Sequence, residues 1–168
     1  MANVGGREVG TNDLGVMVAG AAALVFSFLP YVGASYQVKG FGGGSAHINA
    51  WHGWAFLGLL LLVVAAGVVA ARVFADITLP TLPVGWHVLV AAAAALGTLM
   101  VLVRGLSWGG SEFEGVGTSY SSGMRWGGYL LVLAGIAETV FAVLALRASG
   151  ESVSFDRGTP DAPPPAAI

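Results

Sequence analysis

The chain has 168 residues, of which 56% are hydrophobic and only 10% charged, with a formal net charge of −2. A soluble domain usually carries about 25% charged residues, so a lipid-facing surface is expected instead of a hydrated one. The slight negative charge, with no basic run, excludes a nucleic-acid binder; the lack of cysteine excludes disulfides, thiolate metal sites and cysteine nucleophiles.

Residues 1–13 are polar and Gly-rich and read as a short tail, with Asn12 or Asp13 placed to cap the following helix. The first apolar span covers Leu14 to Ala34, with Pro30 near its far end, where packing against neighbours absorbs a kink. Val32-Gly33-Ala34 also resembles a signal-peptide cleavage site, but Arg7 is offset by Glu8 and Asp13 and the apolar run is too long, so the span reads as a helix. Residues 35–50 (SYQVKGFGGGSAHINA) read as a Gly-rich loop. The second span, Trp51 to Val73, is an uninterrupted apolar run that serves as a packing wall.

Residues 74–85 form a short connection in which Pro80 and Pro83 stop helices from continuing. The third span runs from Trp86 to Val103 and exits at Arg104. Residues 105–124 read as a second Gly/Ser-rich loop, and the fourth span runs from Trp126 to Leu146 between Arg125 and Arg147. From Ala148 the chain is polar and then Pro-rich, a composition that favours disorder. The expectation is an all-α fold: an integral membrane four-helix antiparallel bundle over residues 14–147, with a disordered Pro-rich C-terminal tail.

An even number of spans puts both termini on one side. Arg7, Arg72, Arg147 and Arg157 on that side outnumber Lys39, Arg104 and Arg125 on the other, which makes the termini cytoplasmic. Trp51, Trp54, Trp108 and Trp126 then gather at the outer face, leaving Trp86 at the inner one. With the two longer loops, this makes His47, Trp51, His52, Trp54, Trp108, Glu112, Glu114 and Trp126 the candidate binding residues. Anchoring at the interface is the ordinary role of such aromatics.

Within the spans, Glu138 stands near mid-membrane, where a carboxyl group is a functional candidate by default. Its structural role would be to lock helices by donating a hydrogen bond, with Thr98 and Ser27 as the polar neighbours expected at similar depth. No second titratable group lies at that depth, which weakens a proton relay. His52 and His87 enter from opposite faces, so they do not form a haem pair. His47, His52, Glu112 and Glu114 have side chains that suit zinc, but their spacing does not define a site. No cofactor is expected. No P-loop, zinc-protease, nucleophile-elbow or dinucleotide motif is present, which argues against an enzyme.

The segments Phe28-Leu29-Pro30-Tyr31, Asn49-Ala50-Trp51 and Leu79-Pro80-Thr81-Leu82-Pro83-Val84 carry a resemblance. In them the chain resembles a broad group of small four-helix membrane proteins of actinobacteria. The resemblance implies a bacterial plasma-membrane location and a four-helix bundle, and supplies no activity. The expected function is that of a non-enzymatic membrane accessory or scaffold protein that meets a membrane-protein partner, or its own copies, through the outer loops. The alternatives are a small transporter or proton-coupled channel centred on Glu138, and an outer-face metal or ligand sensor.

Overall fold

The computed structural model describes residues 2–4, 6–75 and 84–151. In chain order the elements are β1 (Ala2–Val4), β2 (Arg7–Val9), α1 (Thr11–Phe26), β3 (Val32–Val38), β4 (Gly42–Ile48), α2 (Ala55–Phe74), α3 (Trp86–Ser107), β5 (Glu112–Gly115), β6 (Thr118–Met124) and α4 (Trp126–Ser149).

The helices pack as a four-membered ring. α1 contacts α2 and α4, α3 contacts α2 and α4, and the diagonal pair α2 and α4 barely touch. Val16, Leu59, Leu62, Val101 and Leu131 are fully buried at the centre. Close approach depends on small residues: a Cβ added at Gly58 would lie 2.8 Å from the Gly97 carbonyl, and one at Gly97 would lie 2.7 Å from that of Gly58. Outward faces carry exposed Leu57, Val64, Leu96, Leu99, Leu133 and Val140, an apolar belt that suits lipid. Helices α2, α3 and α4 are long and apolar enough to cross a membrane. Helix α1 has 16 residues, fewer than the about 20 a straight span needs.

The all-α expectation is overturned. The fold is α plus β, because both presumed loops are β-hairpins that join in one four-stranded antiparallel sheet, ordered β4-β3-β6-β5. The first span stops at Phe26 rather than Ala34. Pro30 cannot donate a helical hydrogen bond, and from Val32 onward apolar Val32, Ala34, Tyr36 and Val38 alternate with Gly33, Ser35 and Gln37, the period of a strand. The N-terminal tail also differs: β1 and β2 pair as a short hairpin, and Arg7 Nη1 donates to the Val73 carbonyl at 2.9 Å, near the end of α2. Gly10 occupies the N-cap of α1, not Asn12 or Asp13. α3 and α4 run on to Ser107 and Ser149, so Arg104 and Arg147 lie in last turns, where cations suit the helix dipole. Asp76, Pro80, Pro83 and the Pro-rich tail from residue 152 lie outside the described residues.

Candidate functional site: the sheet above the helix ends

Connectivity places the sheet at one end of the helices. β3 leaves α1 and β4 returns to α2; β5 leaves α3 and β6 returns to α4. Tyr31 fastens it. Its N–H donates to the Ile48 carbonyl at 2.9 Å, its carbonyl accepts from the Arg125 N–H at 2.9 Å, and its hydroxyl donates to the Val101 carbonyl on α3. Tyr31 is 1% exposed. Burial pushes its hydroxyl pKa up to about 12, opposed by nearby Arg104 and by the backbone at Gly105.

Directly opposed residues in an antiparallel sheet share a face, so the registers define two surfaces. On one, Val32 pairs with Ile48 and Met124, and all three pack on the helical core. Farther out on the same face, Gly44, Tyr36, Tyr120 and Phe113 form one continuous row across four strands. Tyr36, Tyr120 and Phe113 are 55%, 41% and 61% exposed. A Cβ at Gly44 would lie 2.9 Å from the Tyr36 hydroxyl, so that ring covers the edge glycine.

The other face is polar. Ser35, Gln37, Ser45, Glu112, Glu114 and Ser119, drawn from all four strands, line a trough of about 650 Å³. Ser35 and Ser121 bond through their hydroxyls at 2.9 Å, and Arg125 Nη2 donates to Ser35 Oγ at 3.4 Å. A smaller pocket at its base is lined by Pro30, His47, Arg125 and Trp126.

The sequence-derived candidates separate into three groups. Glu112 and Glu114 share the trough, and His47 stands near its base. Trp51, Trp54 and Trp108 fall in two clusters near the sheet base, and Trp126 lines the pocket there. Trp51 Nε1 donates to Ser27 Oγ at 3.0 Å and stacks obliquely on Phe28 and Phe56. Arg104 lies 4.5 Å from the Trp108 ring centre and 5.9 Å from that of Trp54, close enough for cation–π attraction. Sequence reasoning placed Arg104 only as a helix exit and missed this contact, although its spacing of four from Trp108 was the available signal.

The four zinc-type side chains do not converge. β4 and β5 are opposite edges of the sheet, separated by three strand spacings or about 14 Å. His52 lies past β4 with Nδ1 2.8 Å from Asn49 Oδ1. Among the described residues no three His, Asp or Glu side chains are arranged to hold a metal ion.

Glu138 is fully buried, and among the described residues neither carboxyl oxygen has a hydrogen-bond partner. It faces Gly20 of α1, whose added Cβ would sit 3.4 Å from Oε2 and would collide with Ala66 of α2. The expected neighbours are occupied elsewhere. Ser27 Oγ donates to the Leu24 carbonyl at 2.6 Å, just beyond α1. Thr139 donates to the Gly135 carbonyl at 2.9 Å, which leaves the Thr98 hydroxyl to donate to Thr139 at 3.1 Å. The two threonines bridge α3 and α4 without involving Glu138.

At the opposite end, Arg72 Nη1 lies 3.3 Å from His87 Nε2, so Nε2 accepts and Nδ1–H donates to Glu151 at 3.0 Å. The His87 backbone N–H donates to the other Glu151 oxygen at 3.1 Å, giving the first turn of α3 an acidic cap.

No family model, curated protein or solved structure matches this chain.

Proposed function

We propose that this is a non-enzymatic integral membrane protein of the bacterial plasma membrane, acting as an accessory or scaffold subunit that meets a partner through its outer sheet. Both termini then lie in the cytoplasm and the sheet lies outside. The observation that carries this reading is the exposed row Tyr36–Tyr120–Phe113 on a sheet fastened to the helices by Tyr31. Aromatic side chains on a rigid platform are typical interface anchors, and lipid anchoring does not require them to line up across three strands. A photocrosslinking residue at Tyr36, Tyr120 or Phe113 should give one discrete protein adduct in native membranes, absent when the same residue replaces lipid-facing Val64. Equal adducts at Val64 would overturn the reading.

Glu138 favours a second reading, a proton- or cation-coupled pathway, because an intramembrane carboxyl without a partner among the described residues is a functional candidate. In proteoliposomes, Glu138→Gln should then abolish proton flux. Wild-type protein without flux would exclude this role.

A further inference from the structure

Three properties of the sheet bear on what completes it. The first is edge chemistry. Natural edges are protected by shortness, charge, proline or bulges. β5 is selective: two of its four residues are glutamates, so it disfavours another acidic edge and leaves a neutral strand as its fitting partner. β4 is unprotected: Gly42-Gly43-Gly44-Ser45-Ala46-His47-Ile48 is seven residues long, without acid, lysine or proline. Glycines in a strand also mark places where another backbone can approach closely.

The second is direction. Four alternating strands give edges that run opposite ways: β4 descends towards the helices and β5 ascends from them. A second copy, held in the same orientation by the same membrane, therefore presents its β4 antiparallel to β5 of the first. Pairing like edges, β4 on β4, would instead be parallel, and β5 on β5 would oppose carboxylates.

The third is strand number. All four strands line one polar trough, and a four-stranded sheet that coils around such a face supplies half of an eight-stranded barrel. The base of the trough opens beside Pro30, after α1, and Trp126, the start of α4. Helices α1 and α4 also form an apolar groove of about 440 Å³, in which Ala22 and Ala137 lie between the larger Val18, Phe26, Leu130 and Leu133, a depression that apolar side chains of another chain can fill in lipid.

We propose that two copies lie side by side with their α1–α4 grooves together and close their sheets into one eight-stranded antiparallel barrel, β5 of each pairing with β4 of the other. This rests on the membrane reading above and names a second copy as the occupant of both edges. A two-fold axis along the membrane normal makes both seams identical and leaves no edge open. The trough residues become the barrel interior, where Glu112 and Glu114 of one copy stand across the seam from the acid-free, His47-bearing strand of the other. The Tyr36–Tyr120–Phe113 row stays on the outside. An open row of copies would leave edges exposed, and strand twist would tip successive copies out of the membrane plane.

The chain contains no cysteine, which makes disulfide trapping clean. Full-length protein in liposomes would carry Glu112→Cys or Glu114→Cys combined with Ser45→Cys or His47→Cys. Within one chain these positions are at least about 14 Å apart, beyond the roughly 7 Å a disulfide can bridge. At least one combination should convert more than half of the chains to covalent dimer, with no larger species and no dimer from any single variant. Adding Ala137→Leu, which fills the groove, should lower the yield at least tenfold with unchanged circular dichroism. A ladder beyond dimer, disulfide dimer from Ser45→Cys alone, yields no higher than for a Val64→Cys control, or indifference to Ala137→Leu would overturn the proposal. Tyr120→Ser, on the outer surface and away from both seams, should remove partner adducts and leave the dimer intact, so the two readings fail separately.

Discussion

Replacing Glu138 by methionine should stabilise the protein. The carboxyl group is fully buried and both oxygens lack partners among the described residues. Even for a neutral group, burial without a compensating hydrogen bond costs about 1–3 kcal/mol by mutational measures. Methionine is unbranched and adaptable, so it can follow the same path past Gly20 and Ala66 with little overpacking. The expected gain is thus about 1–3 kcal/mol, and at roughly 2–4 °C per kcal/mol for a chain of this size the apparent melting temperature should rise by several degrees. The assay is tryptophan-monitored thermal unfolding in one detergent at fixed protein concentration, beside Gly20→Ala as a packing control. The control should lose stability, because its Cβ has to displace Ala66. A fall in stability for Glu138→Met would refute the reasoning. It would mean that the carboxyl group holds something, and it would move the balance towards the proton or cation reading.

Arg104→Gln removes a guanidinium shared by Trp54 and Trp108 and should cost about 1 kcal/mol, with a change in tryptophan emission; unchanged stability and emission would count against the contact. Glu151 has its carboxyl held below the ordinary range chiefly by the His87 side-chain hydrogen bond. A depressed acid stabilises the fold above the ordinary carboxylate range and loses that contribution as pH falls through it, so Glu151→Gln should flatten stability against pH in that acid window and not near neutrality. Tyr31 has the opposite sign: its pKa is raised to about 12, so its contribution holds below about 10 and fades as pH climbs towards the folded value. Tyr31→Phe should remove the highest-pH phase of an absorbance titration and cost about 1 kcal/mol from one lost hydrogen bond.

The helices were legible in the sequence because apolar length is a strong signal: Trp86 and Trp126 begin α3 and α4 where the composition changes. The sheet was not, for a physical reason. Gly42, Gly43 and Gly44 have low strand propensity, and they belong to a strand only because Val38, Gln37 and Tyr36 of β3 pair with them. That hairpin is in turn held by a non-local pairing, since β3 also bonds to β6, 80 or more residues away. A local reading sees glycine and infers a loop. The period-two alternation from Val32 to Val38 was the available clue, overshadowed by extending the first span to Ala34. Of the site, the gathering of aromatics at one end was legible from helix-end positions. The common row of Tyr36, Tyr120 and Phe113 was not, because only the register puts those residues side by side.

The way Tyr31 is bonded bears on how the sheet can work. One residue accepts from the strand side of α4, donates to the end of β4 and reaches α3 with its hydroxyl, so both hairpins are referred to the same point of the helical layer. Two glycine-rich hairpins on independent hinges would lose much conformational freedom on meeting a partner. A fastened sheet has already lost it on folding, so less opposes association. The same fastening ties the angle between sheet and helices to the membrane. That is the condition for two copies to present their edges at matching height, and for an outer partner to meet the aromatic row in one fixed orientation. Loosening Tyr31 should therefore weaken dimer trapping and partner adducts together, whereas Ala137→Leu and Tyr120→Ser should each weaken only one.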